Sequence, residues 1–270
     1  MNNIKGDSIH MKKYRIIIMS IIAIGIILIG TSNPVSNIYK TTGLISRGIR
    51  KENVDEKNND NSKYLICIDP GHQAKGDPNP EPIGPGSPYQ KARVSSGTEG
   101  IATKKPEYVL NLEASMVLKH ILEGKGYSVM MTRETHDVNI SNSERAIMAN
   151  EKNANLAIRI HADSLEDSSK TGASILVPEE GGKYTSSIFE ESNNCAKFIK
   201  SSMQNSGIGI NGIFQRGDLT GFNWSKVPVV LVEMGFMSNY NEDQMMSNPD
   251  YQRKLMQSIA DGVEEYFKTK

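Results

Sequence analysis

Three short apolar runs in this chain each end on a residue that can bind a metal or carry a proton. Tyr64–Ile68 leads through Asp69-Pro70-Gly71 to His72, Leu156–Ile160 runs into His161, and Val229–Val232 runs into Glu233. In open α/β sheets the binding crevice lies outside the C-terminal strand ends, so these groups are expected along one edge. Each histidine alone reads first as a satisfied buried imidazole; together, at two strand ends, they read as metal ligands. Glu107 is the third candidate ligand. It follows Pro106 in the first turn of a helix, and helical counting from it passes Leu110, Ala114, Leu118 and Ile121. Its carboxylate therefore lies on an apolar stripe and needs a partner, unless the helix dipole alone satisfies it. Two histidines and one glutamate form a catalytic zinc set that leaves a fourth position for water, and such donors suit Zn²⁺ better than thiolate-seeking metals. Glu233, outside the set, could take a proton from that water and pass it to a leaving amine. Paired with Arg159, it would be an ordinary anion.

Competing signals are weaker. His10, His120 and His136 lack a strand end, Glu99 lies in a loop, and Glu113 lies off the apolar stripe. Gly207-Ile208-Gly209-Ile210-Asn211-Gly212 matches a dinucleotide fingerprint but follows a helix, so the phosphate-binding context is missing. Arg216-Gly217-Asp218 is too short to signify adhesion. The chain contains no H-E-x-x-H, G-x-S-x-G or P-loop sequence, which removes the commonest zinc-protease, serine-hydrolase and NTPase readings.

The elements that must position these groups alternate between strand and helix, which predicts a single three-layer α/β domain with a mostly parallel twisted sheet flanked by helices. Strands are expected over 64–68, 127–132, 156–161, 172–177 and 227–232. Helices are expected from Pro106 to Gly124, from Ser141 to about Asn153, over 186–205, 242–246 and 250–268. Ser141 with Glu144 three residues on is a capping-box pattern. Residues 73–105 read as one long Pro- and Gly-rich loop, a candidate substrate wall or contact surface for an accessory protein. Asn211-Gly212 signals a hairpin within 207–218.

The N-terminus reads as a targeting element. Lys12, Lys13 and Arg15 precede an apolar run over residues 16–30, short for a bilayer span and of signal-peptide length. Residues 1–31 are thus a cleaved signal or a retained membrane anchor, and either would export the rest of the chain. Residues 32–62 read as a flexible linker, since KENVDEKNNDNS cannot offset its ordering entropy by burial. The catalytic domain is then 63–270. The formal net charge of zero offers no polyanion footprint, which argues against nucleic acid as a partner. Cys67 and Cys195, in a strand and a helix, read as buried thiols.

With those residues in place, the chain resembles the zinc-dependent N-acetylmuramoyl-L-alanine amidases of the family 3 type. The resemblance rests on Ile68-Asp69-Pro70-Gly71-His72, Pro106-Glu107-Tyr108 with Asn111-Leu112, Met131-Thr132-Arg133, Ser143-Glu144-Arg145, Arg159-Ile160-His161-Ala162-Asp163 and Val232-Glu233-Met234-Gly235-Phe236-Met237-Ser238-Asn239. It implies that His72, Glu107 and His161 bind one zinc ion and that Glu233 is the catalytic acid/base. The implied substrate bond joins the lactyl group of N-acetylmuramic acid to L-alanine in peptidoglycan. Asp163 stands where the family commonly has asparagine, and the 73–105 segment is longer than its usual counterpart. Asp69 and Arg159 are candidates for partnering the second ring nitrogen of the ligand histidines. A short exported amidase without wall-binding repeats is similar to the sporulation-type, CwlD-like enzymes, which implies cortex modification toward muramic-δ-lactam. A vegetative autolysin, a zinc exopeptidase acting on wall peptides, or a non-catalytic wall-binding protein are the alternatives.

Overall fold

The computed structural model describes residues 60–270, so the targeting run and nearly all of the linker lie outside the described residues. Among the described residues, no helix is long and apolar enough to cross a membrane. A six-stranded sheet is built from β1 (Leu65–Pro70), β4 (Ser128–Met131), β5 (Leu156–Asp163), β6 (Ala173–Pro178), β7 (Ile210–Arg216) and β8 (Val229–Phe236) in the order β4-β1-β5-β8-β6-β7. The first four strands of that order run parallel, β6 is antiparallel to β8, and β7 is parallel to β6. Helices α1 (Glu107–Gly124), α2 (Asn142–Glu151), α3 (Phe189–Asn205), α4 (Thr220–Asn223), α5 (Tyr240–Met246) and α6 (Pro249–Phe267) cover both faces. The expected α/β architecture with a mostly parallel sheet is what forms. The short α4 has no counterpart among the expected helices.

Strand alternation sorts the apolar runs into two cores. Ile66, Ile68, Leu156, Ile158, Ile160, Val230 and Val232 point to the side covered by α1, α3 and α6, and all are fully buried. Each such side chain contributes about 1.5–3 kcal/mol on burial. Cys67, Ala157, Val229 and Leu231 point the other way, against Ala149 of α2 and Phe222 of α4. Continuing along that second face by twos gives Asp69, Arg159, His161 and Glu233. Cys67 and Cys195 are buried free thiols, and burial raises both above the ordinary thiol range, Cys67 to about 12.

The structure corrects two local readings. Residues 73–105 are not one unstructured loop, because β2 (Asp77–Pro82) and β3 (Gln90–Val94) pair there as an antiparallel ribbon. Its prolines are compatible with strand because a two-stranded ribbon consists only of edges. Trp224 Nε1 donates to Pro82 O at 2.9 Å, and Ser143 Oγ to Glu81 Oε2 at 2.5 Å, which tie the ribbon to α4 and α2. The expected hairpin at 207–218 is instead the single strand β7. Asn211 Nδ2 donates to Thr171 O and Gly172 O at 3.1 and 3.0 Å, bracing β7 against the start of β6. Gly207–Gly212 thus runs into strand β7, not into a helix whose N-terminus could receive a phosphate. The predicted capping box is present: Ser141 Oγ accepts from Glu144 N, and Glu144 Oε2 accepts from Ser141 N.

Candidate active site

His72, Glu107 and His161 converge from β1's terminal turn, the first residue of α1 and the body of β5. His72 Nε2 lies 3.1 Å from Glu107 Oε1, and His161 Nδ1 lies 3.3 Å from the same oxygen. Two zinc bonds of about 2.05 Å at a tetrahedral angle separate their donor atoms by roughly 3.3 Å, so these spacings fit one ion. All three candidate donor atoms lie within 4.8 Å of one another. His161 faces Glu107 through Nδ1, while its Nε2 is buried with no partner among the described residues. Burial pushes the His161 imidazole down to about 4 against the pull of Glu107, which keeps it in the neutral form a metal takes. Burial alone would raise Glu107, yet hydrogen bonding with the His161 and His72 rings holds it well below the usual carboxylate range.

His161 and Glu233 are register partners on adjacent parallel strands, so they stand side by side on one face. This corrects the strand-tip expectation: β5 continues to Asp163 and β8 to Phe236, and the two groups rise from the sheet surface rather than its edge. Only His72 comes from beyond a strand end. It adopts φ 62°, a left-handed conformation that costs a non-glycine residue about 1–2 kcal/mol. The surrounding guanidinium groups hold that turn in place. Arg145 donates to Pro70 O at 2.9 Å and His72 O at 3.1 Å; Arg133 donates to Pro70 O at 3.0 Å and Gly71 O at 2.9 Å. Gly71 has no side-chain alternative, because a Cβ there would sit 2.2 Å from the His161 ring.

The returning end of the 73–105 segment closes the other side. Ser95 O and Oγ lie 3.0 and 2.9 Å from His72 Nδ1, fixing that ring from behind. Thr98 N donates to Glu107 Oε2 at 3.1 Å, and Asn111 Nδ2 and Ala162 N donate to Oε1 at 3.0 and 3.2 Å. Between Ser95 and Thr98, Gly97 has φ 82°, and a Cβ there would meet Glu107 Oε2 at 2.5 Å. Gly97→Ala is therefore expected to weaken metal binding about 10–100-fold, the usual cost of disturbing groups that orient ligands. Competition with a chromophoric chelator measures it, and unchanged affinity would show that the strap does not set the ligand geometry. Asp243 pins the same segment, accepting from Ala102 N and Thr103 N, both at 2.7 Å.

Glu233 faces a cleft of about 680 Å³, its open mouth included, lined also by His72, His161, Arg159 and Arg216. Its Oε2 is buried and unpartnered. Burial first, then the charges of Glu107 and Asp163, raise Glu233 well above the usual carboxylate range, against Arg159 and Arg216. Asp163, half-buried, is also raised, chiefly by burial. Asp69 and Arg159 do not partner the imidazoles as expected. They are register partners whose side chains bond each other, Arg159 Nε to Asp69 Oδ2 at 2.8 Å, while Ser95 takes the His72 position. Of the other candidates, Glu113 pairs with Lys105, His120 Nδ1 lies 2.6 Å from Met116 O, and His136 packs edge-on to Tyr108. His10 lies outside the described residues. Ser95, Thr98 and Asp243 escape sequence reasoning because main-chain contacts and side chains remote in sequence have no sequence signature. Arg133 and Arg145 belong to the motifs that carry the resemblance, but the motifs alone give them no role.

Known proteins carry the same arrangement of elements. The probable cell wall amidase LytH of Staphylococcus saprophyticus is 27% identical over 237 residues, covering 86% of this chain and 70% of that protein. The crystal structure of the N-acetylmuramyl-L-alanine amidase Ami1 from Mycobacterium smegmatis superposes with a TM-score of 0.69 at 25% identity, over 78% of this chain and all of that one. The CwlD amidase of Clostridioides difficile, solved in complex with the GerS lipoprotein, shares the fold at 22% identity and a TM-score of 0.62, over 77% of this chain and all of that one. Residues 66–265 match the Amidase_3 family, described as N-acetylmuramoyl-L-alanine amidase. The chain belongs to that family of cell-wall enzymes.

Proposed function

We propose that this chain hydrolyses the amide between the lactyl group of N-acetylmuramic acid and L-alanine, with one Zn²⁺ held by His72, Glu107 and His161. The carrying observation is donor spacing of 3.1 and 3.3 Å around Glu107 Oε1, beside an unpartnered carboxylate in the same cleft. Zinc bound there would supply Lewis acidity to the scissile carbonyl and acidify a water molecule. Glu233 then acts as proton carrier. Its raised pKa makes it a willing acceptor of the water proton as the new C–O bond forms, and the same proton goes to the amine nitrogen as the C–N bond breaks. The Arg133 and Arg145 contacts keep His72 aimed while this happens, and the strap around Gly97 fixes Glu107.

Export through residues 1–31, tethering or release by 32–62 and a catalytic domain over 63–270 belong to the same proposal. So does spore cortex as the substrate layer, on the resemblance to sporulation-type enzymes. The likeness to a probable cell wall amidase favours wall turnover in growing cells as the second reading. An accessory partner also belongs here, since an amidase of this fold is solved with a lipoprotein bound. Metal analysis of the purified protein, with mass spectrometry of digested peptidoglycan, tests the chemistry. One zinc per chain and free stem peptides are expected; absence of zinc together with unchanged muropeptides would overturn it. Loss of muramic-δ-lactam from spores of a deletion strain separates cortex modification from wall turnover.

A further inference from the structure

Three charged side chains in the active-site cleft have no part in the proton transfer. Arg216, at the end of β7, grips Asp218 through two parallel bonds, Nε–Oδ1 at 2.7 Å and Nη2–Oδ2 at 2.9 Å. Lys91, delivered by the β2–β3 ribbon, reaches the same carboxylate at 3.0 Å and the Asp218 carbonyl at 2.7 Å. The three side chains are 42%, 51% and 47% exposed for Arg216, Asp218 and Lys91. Pairs so exposed add little to stability, so folding alone does not account for the cluster. Within the trio, two cations face one carboxylate. All three residues line the cleft that holds His72, His161 and Glu233, and the charge on Arg216 is felt by both Glu233 and Asp163.

We propose that Arg216 and Lys91 form an anion subsite that receives a carboxylate of the stem peptide, with Asp218 as the internal group that the incoming carboxylate displaces. This rests on the amidase reading above. A guanidinium fork matches a carboxylate through two bonds, and the Arg216–Asp218 pair already shows the geometry. The subsite also gives the long 73–105 segment a task, because Lys91 comes from it.

The test uses zinc-loaded protein and N-acetylmuramoyl tripeptides in which the side-branch carboxylate of the second residue and the chain-terminal carboxylate are each supplied as acid or carboxamide. Amidating the recognised carboxylate is expected to lower kcat/KM about tenfold, mostly through KM, and the arm that responds identifies which carboxylate binds. Arg216→Met and Lys91→Met should shrink the acid-to-amide ratio toward one. Asp218→Asn, which frees both cations, should enlarge it. Opposite shifts in Arg216→Met and Asp218→Asn are something a purely structural role would not produce, and thermal melting verifies that each variant folds. Equal wild-type rates on all four substrates, or shifts of the same sign in the two variants, would overturn the subsite while leaving the amidase reading intact. Cleavage of none of the four by zinc-loaded wild type would overturn both.

Discussion

Replacing Glu233 by glutamine is expected to lower kcat about 10²–10⁴-fold, the range for removing a positioned general acid/base. The substitution preserves shape and hydrogen-bonding size but cannot carry the proton. Glu233 sits beside His161 on the adjacent strand without being one of the three clustered donors, so Glu233→Gln should retain its full zinc content. That separation distinguishes it from His72→Ala or Glu107→Ala, where metal and activity should be lost together. Substrate KM should change little if Glu233 acts only in the chemical step. The measurement is steady-state hydrolysis of a muramoyl peptide with metal quantified in the same sample. Wild-type rates in a zinc-replete Glu233→Gln protein would remove the residue from the mechanism. The raised pKa is the structural reason for expecting so large an effect. A carboxylate crowded by burial, Glu107 and Asp163 holds a proton more tightly than one in water, and a tight hold is what passing it to an amine requires.

The two histidines and both glutamates are legible in the sequence because each stands at a break in an apolar pattern. Burying a charged or polar group on an apolar stripe is costly enough that the exception signals a partner. The apolar runs that begin at Leu156 and Val229 are equally legible, but apolar residues mark the strands only up to His161 and Glu233. The strands continue through those two residues because a pleated strand needs backbone pairing, and the polar side chains simply occupy the open face. The ribbon inside 73–105 is hidden because proline and glycine counts signal a loop, and residues 83–89, which connect its strands, carry no two-residue hairpin signal. The contacts of Ser95 O and Thr98 N have no sequence signal at all, since main-chain groups are the same in every residue, and nothing in the sequence aims the Ser95 hydroxyl at His72. Asp69 and Arg159 stand out in the sequence, but the role expected of them is not the one they fill. Adjacent register on β1 and β5 brings them to each other before either can reach an imidazole.

That pairing supports the largest expected loss of stability. Asp69 is 3% exposed and accepts from Thr132 Oγ1 at 2.5 Å, Arg145 Nη1 at 2.8 Å and Arg159 Nε at 2.8 Å. Asp69→Ala would leave two buried guanidinium groups without their shared anion, a loss of about 3–5 kcal/mol, or roughly 6–20 °C in Tm for a domain of this size. Asp69→Asn keeps the volume and should lose much of the same stability, which guards against a cavity effect. The pH dependence has a definite sign. Burial would raise the Asp69 carboxyl, but Arg145, Arg159 and Thr132 hold it well below its ordinary value of 3.8. A depressed folded-state pKa stabilises the protein at all pH above that ordinary value, and the contribution is lost as pH falls below it toward the folded value. Denaturant melts should therefore show a constant gap between wild type and Asp69→Asn from pH 7 to about 5, narrowing below about pH 4. A gap that stays constant down to pH 3 would mean that the carboxylate charge is not the source of the stability. Because Arg145 also holds Pro70 O and His72 O, releasing it should loosen the turn that presents His72. Metal affinity in Asp69→Asn should fall with stability, tying the buried ion network on one face of β1 to the metal site at its end.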